Sequence, residues 1–167
     1  MEGQTELIWA LRVILATIFG ALIGLEREWR GHDAGIRTFA AVTLGSCVFA
    51  IISQASGSSG DANRISAQVV SGIGFLGGGV ILRGSRHVSG LTTSATLWAS
   101  ASVGLAIGYG LYLLATVTTV LCILLLLLRL IPGVAQMRNS RVQSDKKVSK
   151  PKKTETETDE AEPTMVE

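Results

Sequence analysis

The residues best equipped for chemistry crowd into one short stretch, GLEREWRGHDAGIRT, at residues 24–38. It holds Glu26, Arg27, Glu28, Arg30, Asp33 and Arg37, together with His32. Three carboxylates beside three arginines can form an ion-pair network, because residues three and four apart share a helix face. They can equally offer oxygens to a hard cation such as Mg2+. No nucleophile with a positioned base accompanies them, so an enzyme is not expected and no cofactor is implied. The two histidines, His32 and His87, lie in separate loops beside arginines and read as headgroup-facing residues rather than ligands. Cys47 and Cys122 fall inside apolar runs and read as small fillers, with neither a disulfide nor a metal site expected.

The elements that must position this stretch are oily. Of 167 residues, 47% are hydrophobic and 17% charged, and no carboxylate occurs between Asp61 and Asp145. A bilayer span needs about 20 mainly apolar residues. Five segments approach that: 7–25, 36–54, 65–82, 91–108 and 111–131. The first contains one charge, Arg12, whose long stem is expected to snorkel to the headgroups. The fourth is rich in Ser and Thr and belongs inside a bundle, where neighbours can satisfy its hydroxyls. The fifth contains LLLLL, reads as lipid-facing, and stops at Pro132 and Gly133. The expected fold is all-α, a polytopic membrane protein with five transmembrane helices.

Arginines set its orientation, since they are retained in cytoplasmic loops. Arg27, Arg30 and Arg37 follow the first span, Arg83 and Arg86 the third, and Arg129, Arg138 and Arg141 the fifth. The other side has only Arg64 and Arg12, with Glu2, Glu6 and Asp61. This places the N-terminus outside and the C-terminus in the cytoplasm. MEGQTE is acidic where a leader would be basic, so the first helix is expected to stay in place. Residues 1–133 read as a transmembrane domain and 134–167 as a charged tail, expected to be disordered for want of apolar periodicity. Its basic half sits where each Lys or Arg near anionic lipid contributes about 1 kcal/mol, and no nucleic-acid partner is expected.

One run invites a different reading. GIGFLG, from Gly72 through Gly74 to Gly77, matches the G-x-G-x-x-G of dinucleotide sites, but the acid that would bind a ribose about 20 residues later is absent. The glycines fit helix packing better. Gly20 and Gly24, Gly74 and Gly78, and Gly104 and Gly108 each stand four apart, a small-xxx-small spacing that lets backbones approach.

Three motifs in order, GLEREWRGHDAGIRT, DANRISAQVVSGIGFLGGGVIL and GLTTSATLWASASVG, resemble the membrane domain of the MgtC/SapB family of bacterial inner-membrane proteins. The resemblance covers residues 7–130. It implies five membrane helices, a role in growth at low magnesium and in survival of pathogens inside macrophages, and contact with other membrane complexes such as the membrane sector of the proton-translocating ATP synthase. Many relatives continue into a cytoplasmic ACT-like domain, where this sequence carries the charged tail. The family often has Pro where Ala62 stands, and some virulence-associated members have Asn and Cys in place of Thr92 and Ala99.

Residue chemistry weighs the options. Transport sites of secondary carriers lie near the midplane, whereas Glu26, Glu28 and Asp33 are expected on the cytoplasmic side and Asp61 on the outer side. A regulatory or partner-binding protein is therefore preferred to a magnesium or other cation transporter, although backbone carbonyls at residues 77–79 could serve an ion. The expected recognition surface is a cytoplasmic hairpin held by Glu26, Arg27, Asp33 and Arg37, with Arg30 close by and Arg83 as the distant partner of Glu26. Arginines serving topology alone are the competing explanation. The expected partners are the lipid bilayer, another inner-membrane protein and a second copy of the chain.

Overall fold

The computed structural model describes residues 2–56, 64–83 and 88–128. Five helices follow one another: α1 (Glu2–Trp29), α2 (Ile36–Ala55), α3 (Arg64–Val80), α4 (Leu91–Gly108) and α5 (Tyr112–Leu127). Between α3 and α4 a two-rung antiparallel hairpin joins β1 (Leu82–Arg83) to β2 (Val88–Ser89), with Leu82 opposite Ser89. The sequence carries no signal for that hairpin, because two residues per strand are too few for an alternating pattern. Residues 129–167, and with them the charged tail, lie outside the described residues.

Two helix ends explain the chain's turns. After Trp29, Gly31 takes φ 69 while its N–H donates to the Glu28 carbonyl (2.9 Å) and that of His32 to the Arg27 carbonyl (3.1 Å). At the end of α4, Gly110 takes φ 78, its N–H donates to Ile107 (2.9 Å) and that of Leu111 to Ala106 (2.8 Å). Both are paired-bond caps that need a left-handed residue, and glycine enters that region without steric cost.

Packing centres on α4, which touches each of the other four helices. Thr93, Thr96 and Ser100 on it are buried, and two of them bond to its own backbone: Thr96 donates to the Thr92 carbonyl (2.7 Å) and Ser100 to that of Leu97 (2.8 Å). Such back-bonding lets a Ser/Thr-rich helix sit in an apolar interior without orphaned donors. Glycines bring the neighbours in. A Cβ at Gly20 would strike Thr43 Oγ1, and one at Gly24 would lie 2.7 Å from the Ile36 Cα. From the other side, a Cβ at Gly104 would strike the Thr43 carbonyl, and one at Gly108 would lie 2.7 Å from that of Cys47. The α2 backbone is thus gripped between glycine faces of α1 and α4, the close approach that small residues permit.

The third expected glycine face is corrected. A Cβ added at Gly72, Gly74 or Gly78 would meet nothing within 4 Å, and all three are exposed. Helix α3 turns Ile73 and Gly77 inward instead, with Gly77 against the Ser94 hydroxyl. The spacing of Gly74 and Gly78 marks a face of the helix but says nothing about which face has a neighbour.

The outside of the bundle is apolar. Along α1, Leu7, Leu11, Ile14, Ile18, Leu22 and Leu25 are all exposed at intervals of three and four, a complete outward stripe. Thr43, Ser46, Thr93, Thr96 and Thr119 are buried. Water would reverse that arrangement, because it gains nothing from an exposed leucine stripe. Two helices, Gln4–Trp29 and Ile36–Ala55, are long and apolar enough to cross a membrane. Trp9 and Trp29 are 20 residues apart on the first of them, about 30 Å of helix, and Trp29 is fully out in the surroundings. Tryptophans at both levels match the interfacial belts of a bilayer of that thickness.

Candidate functional site

The last turn of α1 and the residue after it bring Glu26, Arg27, Glu28 and Arg30 to the end of the bundle where α2 and α4 begin. Helical rotation of about 100° per residue sends neighbouring side chains in different directions. Arg27 turns inward and is 4% exposed, while Trp29 is 91% exposed. The Arg27 guanidinium donates through Nη2 to Thr93 Oγ1 in the first turn of α4 (3.1 Å), and its Nη1 lies 3.7 Å from Glu26 Oε2. Glu26 Oε1 in turn meets Arg30 Nε at 2.5 Å, one helical turn on. Both Glu26 oxygens are buried and neither makes an aligned hydrogen bond. The carboxylate is held by two positive charges, a Coulombic clamp strengthened by exclusion of water.

Glu28 has a separate task. Its Oε2 accepts from the Ile36 N–H (2.8 Å), so the side chain closes the loop by capping α2 from eight residues upstream. The residue at the α2 N-cap is Gly35, which has no side chain to cap with. A Cβ on Gly35 would lie 2.5 Å from that Glu28 oxygen. The missing side chain is therefore what lets a carboxylate reach the positive end of α2.

Part of the expected network is corrected. Asp33 and Arg37 are exposed, and neither forms an ion pair among the described residues. The loop is held by Glu28 and by the cap at Gly31, so its remaining charges stay in solvent. Arg83 falls in β1, with its side chain outside the described part, and Asp61 and His87 lie outside the described residues altogether. Arg64 opens α3 and is exposed. Sequence reasoning missed Thr93 as the partner of Arg27, since a contact 66 residues away leaves no local trace. It noticed Glu28 but gave it no role; a Gly preceding a helix with an acid upstream is the available clue.

A second polar cluster occupies the opposite end. Arg12 donates from Nε to the Tyr112 hydroxyl (3.0 Å) and from Nη1 to the Gly108 carbonyl (2.8 Å), which also accepts from Gln54 (2.7 Å). Expected snorkelling gives way to a fixed contact with the last turn of α4. Ser66 and Tyr109 join α3 to the same end through their hydroxyls (2.8 Å). Among the described residues, no three His, Cys, Asp or Glu side chains converge as a metal ion would require.

Comparison with known proteins sharpens this picture. The MgtC family matches residues 13–131. Protein MgtC of Salmonella typhimurium is 48% identical over 121 residues, 71% of this chain and 52% of that protein. An uncharacterized protein of Synechocystis is 48% identical over 102 residues, 61% of this chain and 44% of its own. A protein of Escherichia coli K12 named "Putative magnesium transporter YhiD" is 40% identical over 124 residues, 70% and 58% of the two chains. The chain thus spans about half the length of the curated relatives it matches. No solved structure matches. The matched region contains Glu26, Arg27, Glu28, Thr93 and all of α2 to α5, and with it the chain belongs to the MgtC family.

Proposed function

We propose that this chain is a multi-pass protein of the bacterial inner membrane that acts by contact with another membrane protein, supporting growth when magnesium is scarce and, in pathogens, survival inside host cells. All five helices span in this reading, with the Glu26 end in the cytoplasm and the Arg12 end outside. The positive-inside distribution of arginines and the apolar outer face of the bundle support it. The membrane sector of the proton-translocating ATP synthase is the kind of partner the family resemblance suggests.

The single observation that carries the contact reading is the chemistry of the interior. Between the two polar ends, the buried polar side chains of the described residues are hydroxyls bonded mostly to their own helices, with no carboxylate among them. A hard divalent cation needs several oxygen ligands with formal charge or retained water, and a carrier holds its ion near the midplane. Glu26 and Glu28 lie at one end, where Glu26 already has two arginines and Glu28 an N–H. By contrast, α3 presents Ala67, Ser71, Gly74 and Gly78 on one exposed face, a surface another helix can approach closely.

A transport role is the second reading, favoured by the name given to the E. coli relative. Purified chain in liposomes decides between them. Under the contact reading no saturable magnesium flux appears, and Gly74→Leu inserts at normal abundance but fails to complement a deletion strain in low magnesium. Saturable flux that falls with Asp61→Asn selects the carrier. Reporter fusions after Arg30 and near Ser58 check the topology, with cytoplasm and outside as the expected answers.

A further inference from the structure

A groove of about 430 Å3 is lined by α2 and α3, among others by Phe49, Ile65, Leu76 and the glycines Gly45 and Gly72, with Ser46 and Gln68 as its polar lining residues. A Cβ at either glycine would meet nothing within 4 Å, so the space beside both is open. We propose that this groove seats one acyl chain of a phospholipid, with the Gln68 amide donating to the ester carbonyl or phosphate of the same molecule. The proposal rests on the membrane placement argued above and deepens it.

Dimensions select the occupant. From Ile65 to Leu76 the α3 wall rises about 16 Å (11 residues at 1.5 Å each), close to one leaflet, half of a hydrocarbon core of about 30 Å. A polymethylene chain, about 4 Å across by the carbon–carbon contact distance, can lie along a groove of that length. A partner helix would run the full depth of the membrane, not one leaflet.

Gln68 supplies the second, independent argument. It stands one turn inside the start of α3 and is exposed, and its amide makes no hydrogen bond among the described residues. An amide left unpaired in hydrocarbon is costly. One turn, about 5 Å below the end of a helix, is where the glycerol esters of the same leaflet lie. An acyl chain in the groove therefore brings its own acceptor to the amide, which a bare hydrocarbon would not.

Native mass spectrometry of the full chain, released from membranes in mild detergent, tests this by counting retained phospholipids. The wild type should carry one phospholipid that survives detergent exchange. Gly45→Leu with Gly72→Leu places side chains in the groove, starting from Cβ positions with nothing within 4 Å, and should lose it, while Val117→Phe, on the exposed face of α5, should keep it. Gln68→Leu should lower the occupied fraction about threefold to tenfold, the range of one hydrogen bond within a membrane. Circular dichroism confirms that the filled variant remains helical. Equal lipid counts in the wild type and the helical filled variant would overturn the proposal. So would a second chain retained by the wild type and lost on filling, because that outcome assigns the groove to self-association. Loss of the membrane placement itself would show separately, as chain extracted from membranes by alkaline carbonate.

Discussion

Both ends of the bundle fasten α1 to α4 through an arginine, but among the described residues only the Glu26 end pairs its arginine with a carboxylate. At the Arg12 end the guanidinium lies on the Gly108 carbonyl, where the α4 dipole is negative. The helix itself is the counter-charge, and Tyr112 and Gln54 complete the polar contacts. At the Glu26 end Arg27 is buried against Thr93, in the first turn of the same helix, where the dipole is positive. A cation there is repelled by the helix it must hold. Glu26 offsets that repulsion, and Arg30 in turn holds the Glu26 carboxylate in place. The pair of ends teaches that the acids in GLEREWRGHDAGIRT have a structural task set by the direction of α4.

Glu26→Gln should have the largest effect at either end. It keeps the shape of the side chain but leaves Arg27 buried beside a positive helix end, and breaking a buried pair in this way costs about 3 kcal/mol. Thermal unfolding in mild detergent should show a larger loss than any other single substitution at either end of the bundle. Arg27→Met added to Glu26→Gln should recover much of it, since no uncompensated charge then remains. A double variant no more stable than Glu26→Gln alone would mean that Arg27 is not the group Glu26 serves.

Arg12→Met should cost less, about 1–2 kcal/mol, the worth of a hydrogen bond from a charged donor to a helix end. Gln54 still satisfies the Gly108 carbonyl in that variant. No acid substitution should be needed to rescue it. A loss equal to that of Glu26→Gln would erase the distinction between the ends.

How much of this is legible in the sequence depends on the range of the contact. Some helix bounds follow from local composition: the expected segments 36–54 and 91–108 and the helices Ile36–Ala55 and Leu91–Gly108 differ by a residue at most, whereas α1 runs Glu2–Trp29 where 7–25 is expected, because polar residues extend the helix beyond its apolar run. The burial of α4 is legible too, because its Ser and Thr content only suits an interior. Arg12 misleads, as its snorkelling assignment considers only its own helix while its partners are about 100 residues away. Asp33 and Arg37 mislead for a related reason: charge in a loop signals a network only if the loop lacks another fastening, and Glu28 provides one. Gly74 and Gly78 show that a stripe specifies a face without its neighbour.

Glu28→Ala removes the cap on α2 and should cost about 1 kcal/mol, typical of a lost N-cap. Its effect should stay local. Hydrogen exchange ought to quicken in the first turn of α2 while the α1–α4 contact at Thr93 remains protected. Faster exchange at both places would show that loop closure and the Arg27 clamp form one unit rather than two.

The smallest effect on stability is expected where recognition is most exposed. Asp33→Asn and Arg37→Ala alter charges without an ion-pair partner among the described residues, so the unfolding temperature should move by less than about 2 °C. If the loop meets a partner, complementation in low magnesium should nevertheless fail, because a rim charge acts on association rather than on the fold. That separation of readouts is the useful part. A variant as stable as the wild type and equally able to complement would leave the charges of this end to topology and to the α4 clamp alone. A variant that unfolds early would place Asp33 or Arg37 in the same network as Glu26, and the contrast between a fastening set of acids and a free set would no longer hold.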